Sequence, residues 1–233
     1  MRRRHIVLLS GGLDSTVLLA HTLLARLVPQ EHEDVVTLSF RYGQKHSREL
    51  DAAFAISEHF GILKHEVLDV ASALQFKSNP LTNPSEKMPM GLTYDELKSL
   101  TGVAKTYVPN RNAILLSIAA GLCYDLGGGT VAYAAHRTDA RGGAYPDCTH
   151  EFVSSISMTT RIATAGKVQI VAPFILRTKS EVVRLGTQLD VPFEMTWSCY
   201  EGGDVHCGEC PTCLERKQAF IDAEVGDPTE YLK

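Results

Sequence analysis

The sequence is short of several things, and each shortage removes a class of function. Long hydrophobic runs are one: the apolar run after the basic start, Ile6–Leu9, has four residues. That is too short for a signal-peptide core or a bilayer helix, so no membrane contact is expected. Strong charge is another. A net charge of −4 over 233 residues leaves no footprint for nucleic acid, and Arg2–Arg4 is too brief to supply one. The chain has no internal repeat and no low-complexity tract. With no export signal, the six cysteines are expected as reduced thiols or metal ligands, and the cytoplasm is the expected compartment.

What is present reads as α/β. Hydrophobic residues make up 44% and charged residues 21%, the balance of a soluble globular chain large enough to fold without staples. Strand-like runs occur at Ile6–Leu9, Val35–Phe40, His65–Val70, Thr130–Ala134 and Gln169–Ala172. Helical patterns alternate with them at Thr16–Leu27, Ser47–His59, Asn112–Leu126, His150–Ala165 and Lys179–Leu189. This alternation predicts a doubly wound, mostly parallel sheet with flanking helices. Gly61 and Gly127-Gly128-Gly129 mark helix ends. Residues 72–106, with Asn79-Pro80, Asn83-Pro84 and Met88-Pro89, read as a long excursion or lid. The expected division is residues 1–193 for the α/β domain and 194–233 for a small metal-binding appendage.

Ser10-Gly11-Gly12-Leu13-Asp14-Ser15-Thr16 lies between the first strand and the first helix. Glycines let the backbone approach an anion, and helix-start amides with Ser and Thr hydroxyls can bind phosphate. It is neither a Walker loop nor the dinucleotide fingerprint. The other reading is an ordinary βα turn with Asp14 or Ser15 as a cap. Cys199, Cys207, Cys210 and Cys213 give Cys-x7-Cys-x2-Cys-x2-Cys, with Gly208 allowing a tight turn. Four thiolates suit a closed, structural, tetrahedral zinc, and an iron–sulfur cluster is the rival. Cys123 reads as a small core residue, and Cys148 as a residue bordering a site.

The Ser10–Thr16 string resembles the pyrophosphate loop of the N-type ATP pyrophosphatases, which include synthetases for GMP, NAD and argininosuccinate and the tRNA-thiolating enzymes. That resemblance implies an adenine nucleotide α-hydrolase-like fold and cleavage of ATP between its α- and β-phosphates, with Mg²⁺ accompanying the nucleotide. Further motifs follow in order: Tyr42-Gly43-Gln44-Lys45-His46 with Glu49, Tyr107–Asn112, Tyr145-Pro146-Asp147-Cys148, Pro173 with Lys179 and Glu181, Thr196–Tyr200, and Cys207–Cys210. Together they resemble the 7-cyano-7-deazaguanine synthase family almost end to end. The sequence departs from that pattern between Thr138 and Tyr145, which is two residues longer, at Thr149, where the family has Arg, and at Asn110, which replaces Gly. The left-handed conformation that glycine permits is also open to Asn.

The resemblance implies an ATP-dependent, AMP- and pyrophosphate-releasing ligase acting on 7-carboxy-7-deazaguanine and ammonia. It assigns Leu9, Ser10, Gly11, Gly12, Leu13, Asp14, Ser15, Thr16, Val17, Leu18, Leu19 and Lys179 to ATP, with Asp14, Lys179 and Arg111 catalytic. Tyr107, Arg111, Asn112, Asp139, Arg141, Tyr145 and Asp147 are the expected substrate residues. Three alternatives stay open: a protein amine as acceptor, a tRNA thiolase, and a non-catalytic nucleotide-binding adaptor. A homodimer also stays open.

Overall fold

A computed structural model of the chain describes residues 4–24, 34–44, 48–83, 85–141 and 144–233. The expectations for Arg2, Arg3, Lys45, His46, Pro84, Gly142, Gly143 and the end of the first helix lie outside the described residues. The first half runs β1 (Arg4–Leu8), α1 (Leu13–Leu24), β2 (Val35–Arg41), α2 (Arg48–His59), β3 (His65–Asp69) and α3 (Tyr94–Thr101). Then come α4 (Arg111–Asp125), β4 (Gly129–Ala132), α5 (Arg137–Ala140), α6 (His150–Ala163), β5 (Val168–Val171), α7 (Lys179–Gln188) and α8 (Pro211–Ala223).

The five strands form one parallel sheet in the order β3-β2-β1-β4-β5. β2 is buried at six successive residues because helices cover both faces of the sheet. On one face Ile6, Leu38, Val131 and Ile170 pack with Leu116 and Ala119 of α4, and α6 lies beside them. On the other, Val7, Val35 and Ala132 pack with Val17 and Leu18 of α1, Val182 and Val183 of α7, and Phe220 of α8. α1 and α7 approach closely at Gly186, where a Cβ would fall 2.5 Å from the Phe193 ring and 2.7 Å from Val17.

The predicted strands and helices are all present, with ends displaced by a few residues. Two helices of eight residues or more were not foreseen. α3 interrupts the 72–106 excursion, and α8 begins at Pro211 directly after Cys210, Pro being suited to a first helical position. Asn110 ends the turn before α4 at φ 59°, the left-handed conformation anticipated for the residue in glycine's place. From β1 the chain winds outward through β2 and β3, then returns to place β4 on the other side of β1. The strand order therefore reverses between β1 and β4, and a crevice opens beyond their carboxyl ends.

Candidate functional site

A cavity of about 270 Å³ occupies that crevice. Its floor is the loop after β1. Gly11 sits at φ +80°, and a Cβ there would collide with the Glu49 carbonyl oxygen and lie 2.7 Å from Ala53 N, so glycine lets the loop rest on α2. The Gly12 carbonyl accepts from Thr16 N (3.1 Å), Thr16 Oγ1 (2.8 Å) and Ser15 Oγ (3.0 Å), while Ser10 N donates to Ser15 Oγ (3.2 Å). The first turn of α1 has amides without helical partners, and Leu13, Asp14 and Ser15 line the cavity.

At one end of the cavity stands a chain of charges. Lys179, the first residue of α7, places Nζ 3.3 Å from Asp14 Oδ2 and 2.8 Å from Glu215 Oε2. His136, wholly buried after β4, places Nε2 3.4 Å from Asp14 Oδ1 and 3.5 Å from Asp139 Oδ2. Burial alone would raise the Asp14 carboxyl, but Lys179 and His136 outweigh it and hold it well below the usual carboxylate range. Burial would lower His136, yet Asp139 and Asp14 push it up to about 9. Asp139 itself is pushed up to about 6 by burial, against the pull of His136. Lys179 is held above its ordinary value because Asp14 and Glu215 outweigh burial.

The opposite wall is aromatic, formed by Tyr42, Tyr94, Tyr133, Tyr145, Trp197 and Tyr200. Tyr94 meets Tyr145 edge to face at 5.3 Å, and its hydroxyl lies 3.0 Å from that of Tyr200. The Arg111 guanidinium sits 5.3 Å over the Tyr42 ring. Burial pushes the Glu49 carboxyl up to about 7, although Arg111 and a hydrogen bond from Tyr42 pull it down. Burial likewise pushes the Cys148 thiol far up.

The structure brings most of the predicted site residues together. Leu9, Ser10, Gly12, Leu13, Asp14, Ser15, Arg111, Asn112, Asp139, Tyr145 and Lys179 line the cavity, with Gly11 shaping its loop. Thr16, Val17, Leu18 and Leu19 do not join them; each is wholly buried in or behind α1. Tyr107 and Asp147 stand behind the wall, Tyr107 against the Tyr145 ring and Asp147 accepting from Asn112 N at 3.2 Å. Arg141 lies outside the cavity, largely exposed and 3.6 Å from Asp95. His136, Glu215, Tyr94 and Tyr133 were not read from the sequence as site residues. His136 precedes Asp139 by three residues and Glu215 follows Cys213 by two, spacings that announce no chemistry.

The four C-terminal cysteines converge, their sulfurs all within 4.8 Å of one another. Cys210 and Cys213 sulfurs are 3.4 Å apart, and those of Cys207 and Cys213 are 3.9 Å apart. Bonds of about 2.3 Å in a tetrahedral site would set sulfurs about 3.8 Å apart, so the donor set fits a metal. Amides of Glu201, Cys207 and Cys210 point at Cys199 or Cys207 sulfur at 3.3–3.4 Å, which favours thiolates. This cluster is joined to the cavity twice. Trp197 N, two residues before Cys199, donates to the Gly11 carbonyl at 2.9 Å, and Glu215, two residues after Cys213, holds Lys179.

The five-stranded, doubly wound parallel sheet with flanking helices has an adenine nucleotide α-hydrolase-like fold, with the Ser10–Ser15 loop at its switch point. NMN synthetase from Francisella tularensis shares this fold with a TM-score of 0.50 and 15% identity, covering 96% of this chain and 78% of that one. At the level of sequence, the family model of the queuosine biosynthesis protein QueC matches residues 4–224. A 7-cyano-7-deazaguanine synthase from Archaeoglobus fulgidus is 42% identical over 224 residues, 96% of this chain and 88% of that protein. Another, from Marinomonas sp., is 36% identical over 231 residues, 99% of each. The chain belongs to the QueC family. Among the described residues, no helix is long and apolar enough to cross a membrane.

Proposed function

We propose that the protein adenylates 7-carboxy-7-deazaguanine with ATP, lets ammonia displace AMP to give the amide, and adenylates the amide oxygen in a second round to leave the nitrile. One observation carries this reading. A single cavity joins the Ser10–Ser15 loop and Lys179 to an aromatic wall bearing Arg111. The names of its relatives, 7-cyano-7-deazaguanine synthases, point the same way.

A carboxylate oxygen is a poor leaving group, and joining it to AMP makes it a good one. The loop amides and Lys179 take the departing pyrophosphate, since dipoles and charge fixed before reaction need no reorganisation during it. Asp14, Asp139 and Glu215 offer hard oxygen donors to the Mg²⁺ that travels with the triphosphate, and Asp14 Oδ1 has only the long 3.4 Å contact with His136 Nε2. When bound, that ion neutralises charge on the leaving group. Arg111 pairs with the acid's carboxylate, and the tyrosine wall packs the flat bicyclic base and excludes water from the acyl-adenylate. Cys199, Cys207, Cys210 and Cys213 would hold zinc, which supplies folding energy and leaves no open position for chemistry. Mass spectrometry of products from ATP, Mg²⁺, 7-carboxy-7-deazaguanine and ammonium tests the reading. The nitrile with two AMP per product is expected; ADP, or an inert mixture, would overturn it.

A further inference from the structure

Acyl transfer to ammonia needs a group that removes a proton from the attacking nitrogen, and the cavity holds four carboxylates that could serve. Three belong to the charged end. Asp14 and Glu215 are ion-paired to Lys179, and Asp139 to His136. The fourth, Glu49, stands apart at the start of α2, on the aromatic side of the cavity. Its neighbours are the Tyr42 hydroxyl, which donates to it, and the Arg111 guanidinium. Resting on the proposed adenylation chemistry, we infer that Glu49 is the catalytic base that takes the proton from the incoming nitrogen. Burial keeps its carboxyl near neutrality, at about 7, where a base both exists in its charged form and accepts a proton readily.

The step balances. Ammonia's lone pair forms the C–N bond at the adenylated carbonyl, and Glu49 takes one N–H proton. The C–O bond to the adenylate breaks, and its electron pair leaves with AMP. Glu49 then releases its proton to solvent. In the second round the amide oxygen attacks the α-phosphorus, pyrophosphate leaves, and one N–H proton passes to solvent, which gives an O-adenylated imidate with one N–H. Its proton passes to the same carboxylate as the C–O bond breaks and the nitrile forms. Arg111, held beside Glu49 by the Tyr42 ring, is placed to hold the oxygen while Glu49 serves the nitrogen.

The adenylation half-reaction needs no such base, so the two halves separate in one experiment. Wild type, Glu49→Gln and Glu49→Asp are compared for acid-dependent exchange of labelled pyrophosphate into ATP, and for amide and nitrile formation from ammonium. Glu49→Gln is expected to retain exchange within about threefold while amide formation falls about a hundredfold or more, the usual effect of removing a general base. Glu49→Asp should recover part of the loss. Hydroxylamine, already neutral at the assay pH and strongly nucleophilic, should give hydroxamate with Glu49→Gln at close to the wild-type rate. Amide formation unchanged in Glu49→Gln would overturn the assignment. Loss of exchange in step with amide formation would overturn it too, and make Glu49 a residue that holds the acid. Absence of acid-dependent exchange in wild type would instead bring down the adenylation reading, and this inference with it.

Discussion

The two ends of the cavity are built on opposite electrostatic plans. At the charged end every ionised group has a partner: Lys179 faces Asp14 and Glu215, and His136 faces Asp14 and Asp139. Partners outweigh burial at Asp14, His136 and Lys179, so Asp14 stays ionised and Lys179 stays charged, while Asp139 is the exception, raised to about 6 by burial. At the aromatic end burial prevails, and Glu49 and Cys148 are pushed toward their neutral forms. A fixed field suits an anion whose charge hardly changes over the working pH range, while groups poised near neutrality suit proton transfer. On the proposed reading, the difference separates a place for polyphosphate from a place for acyl chemistry.

The largest expected effect abolishes the distinction. Trp197 and Tyr200 flank Cys199, and Glu215 follows Cys213, so the metal cluster anchors residues of both ends. Cys199→Ser should therefore lose the metal, ATP cleavage and acid binding together, as measured by elemental analysis, pyrophosphate release and thermal melting. The native protein should carry one metal per chain, and zinc is the expected element. Survival of ATP cleavage after metal loss would separate the two regions again.

Lys179→Met should act on the charged end alone. ATP cleavage should fall about a thousandfold, the scale of losing a preorganised charge at the reacting groups. Binding of the acid, read by calorimetry, should change little. Arg111→Ala should do the reverse with a smaller effect. Losing a hydrogen bond to a charged group removes about 1.5–3 kcal/mol, so kcat/KM for the acid should drop roughly ten- to a hundredfold. The KM for ATP should stay within about twofold.

The smallest effects are in stability, and the two ends should lose stability with rising pH over different windows. His136 is raised from 6.5 to about 9, so its contribution is complete below 6.5 and fades as pH climbs toward 9. The melting advantage of wild type over His136→Gln should shrink across that window. Glu49 is raised from 4.5 to about 7, so ionising it in the folded state costs stability increasingly between those values. Glu49→Gln should therefore gain on wild type as pH rises from 4.5 to 7. Slopes that fall in one shared pH window for both variants would refute the contrast.

Parts of the site also differed in how far the sequence revealed them. The Ser10–Ser15 loop and the four cysteines are short patterns set by local spacing, and the structure brings the loop to the cavity and the four sulfurs together. The strand and helix rhythm was equally plain, because a sheet covered on both faces needs apolar runs alternating with amphipathic helices. Partners supplied by distant elements were not. His136 follows β4, Glu215 rides on α8, and neither meets Asp14 or Lys179 until the sheet and α8 are packed. Arg141 shows the opposite limit. Its place in a lengthened loop suggested a substrate contact, yet the side chain turns outward to Asp95. Charge within a loop does not tell which way the loop faces.

In the proposed reaction the charged end directs ATP onto the carboxylate oxygen of an acid held at the aromatic end. Supplying the acid with ¹⁸O in its carboxylate, together with ATP, Mg²⁺ and ammonium, tests it most directly. Adenylation predicts ¹⁸O in the phosphate of AMP, matched by stoichiometric pyrophosphate. Unlabelled AMP, or label recovered in inorganic phosphate beside ADP, would contradict it.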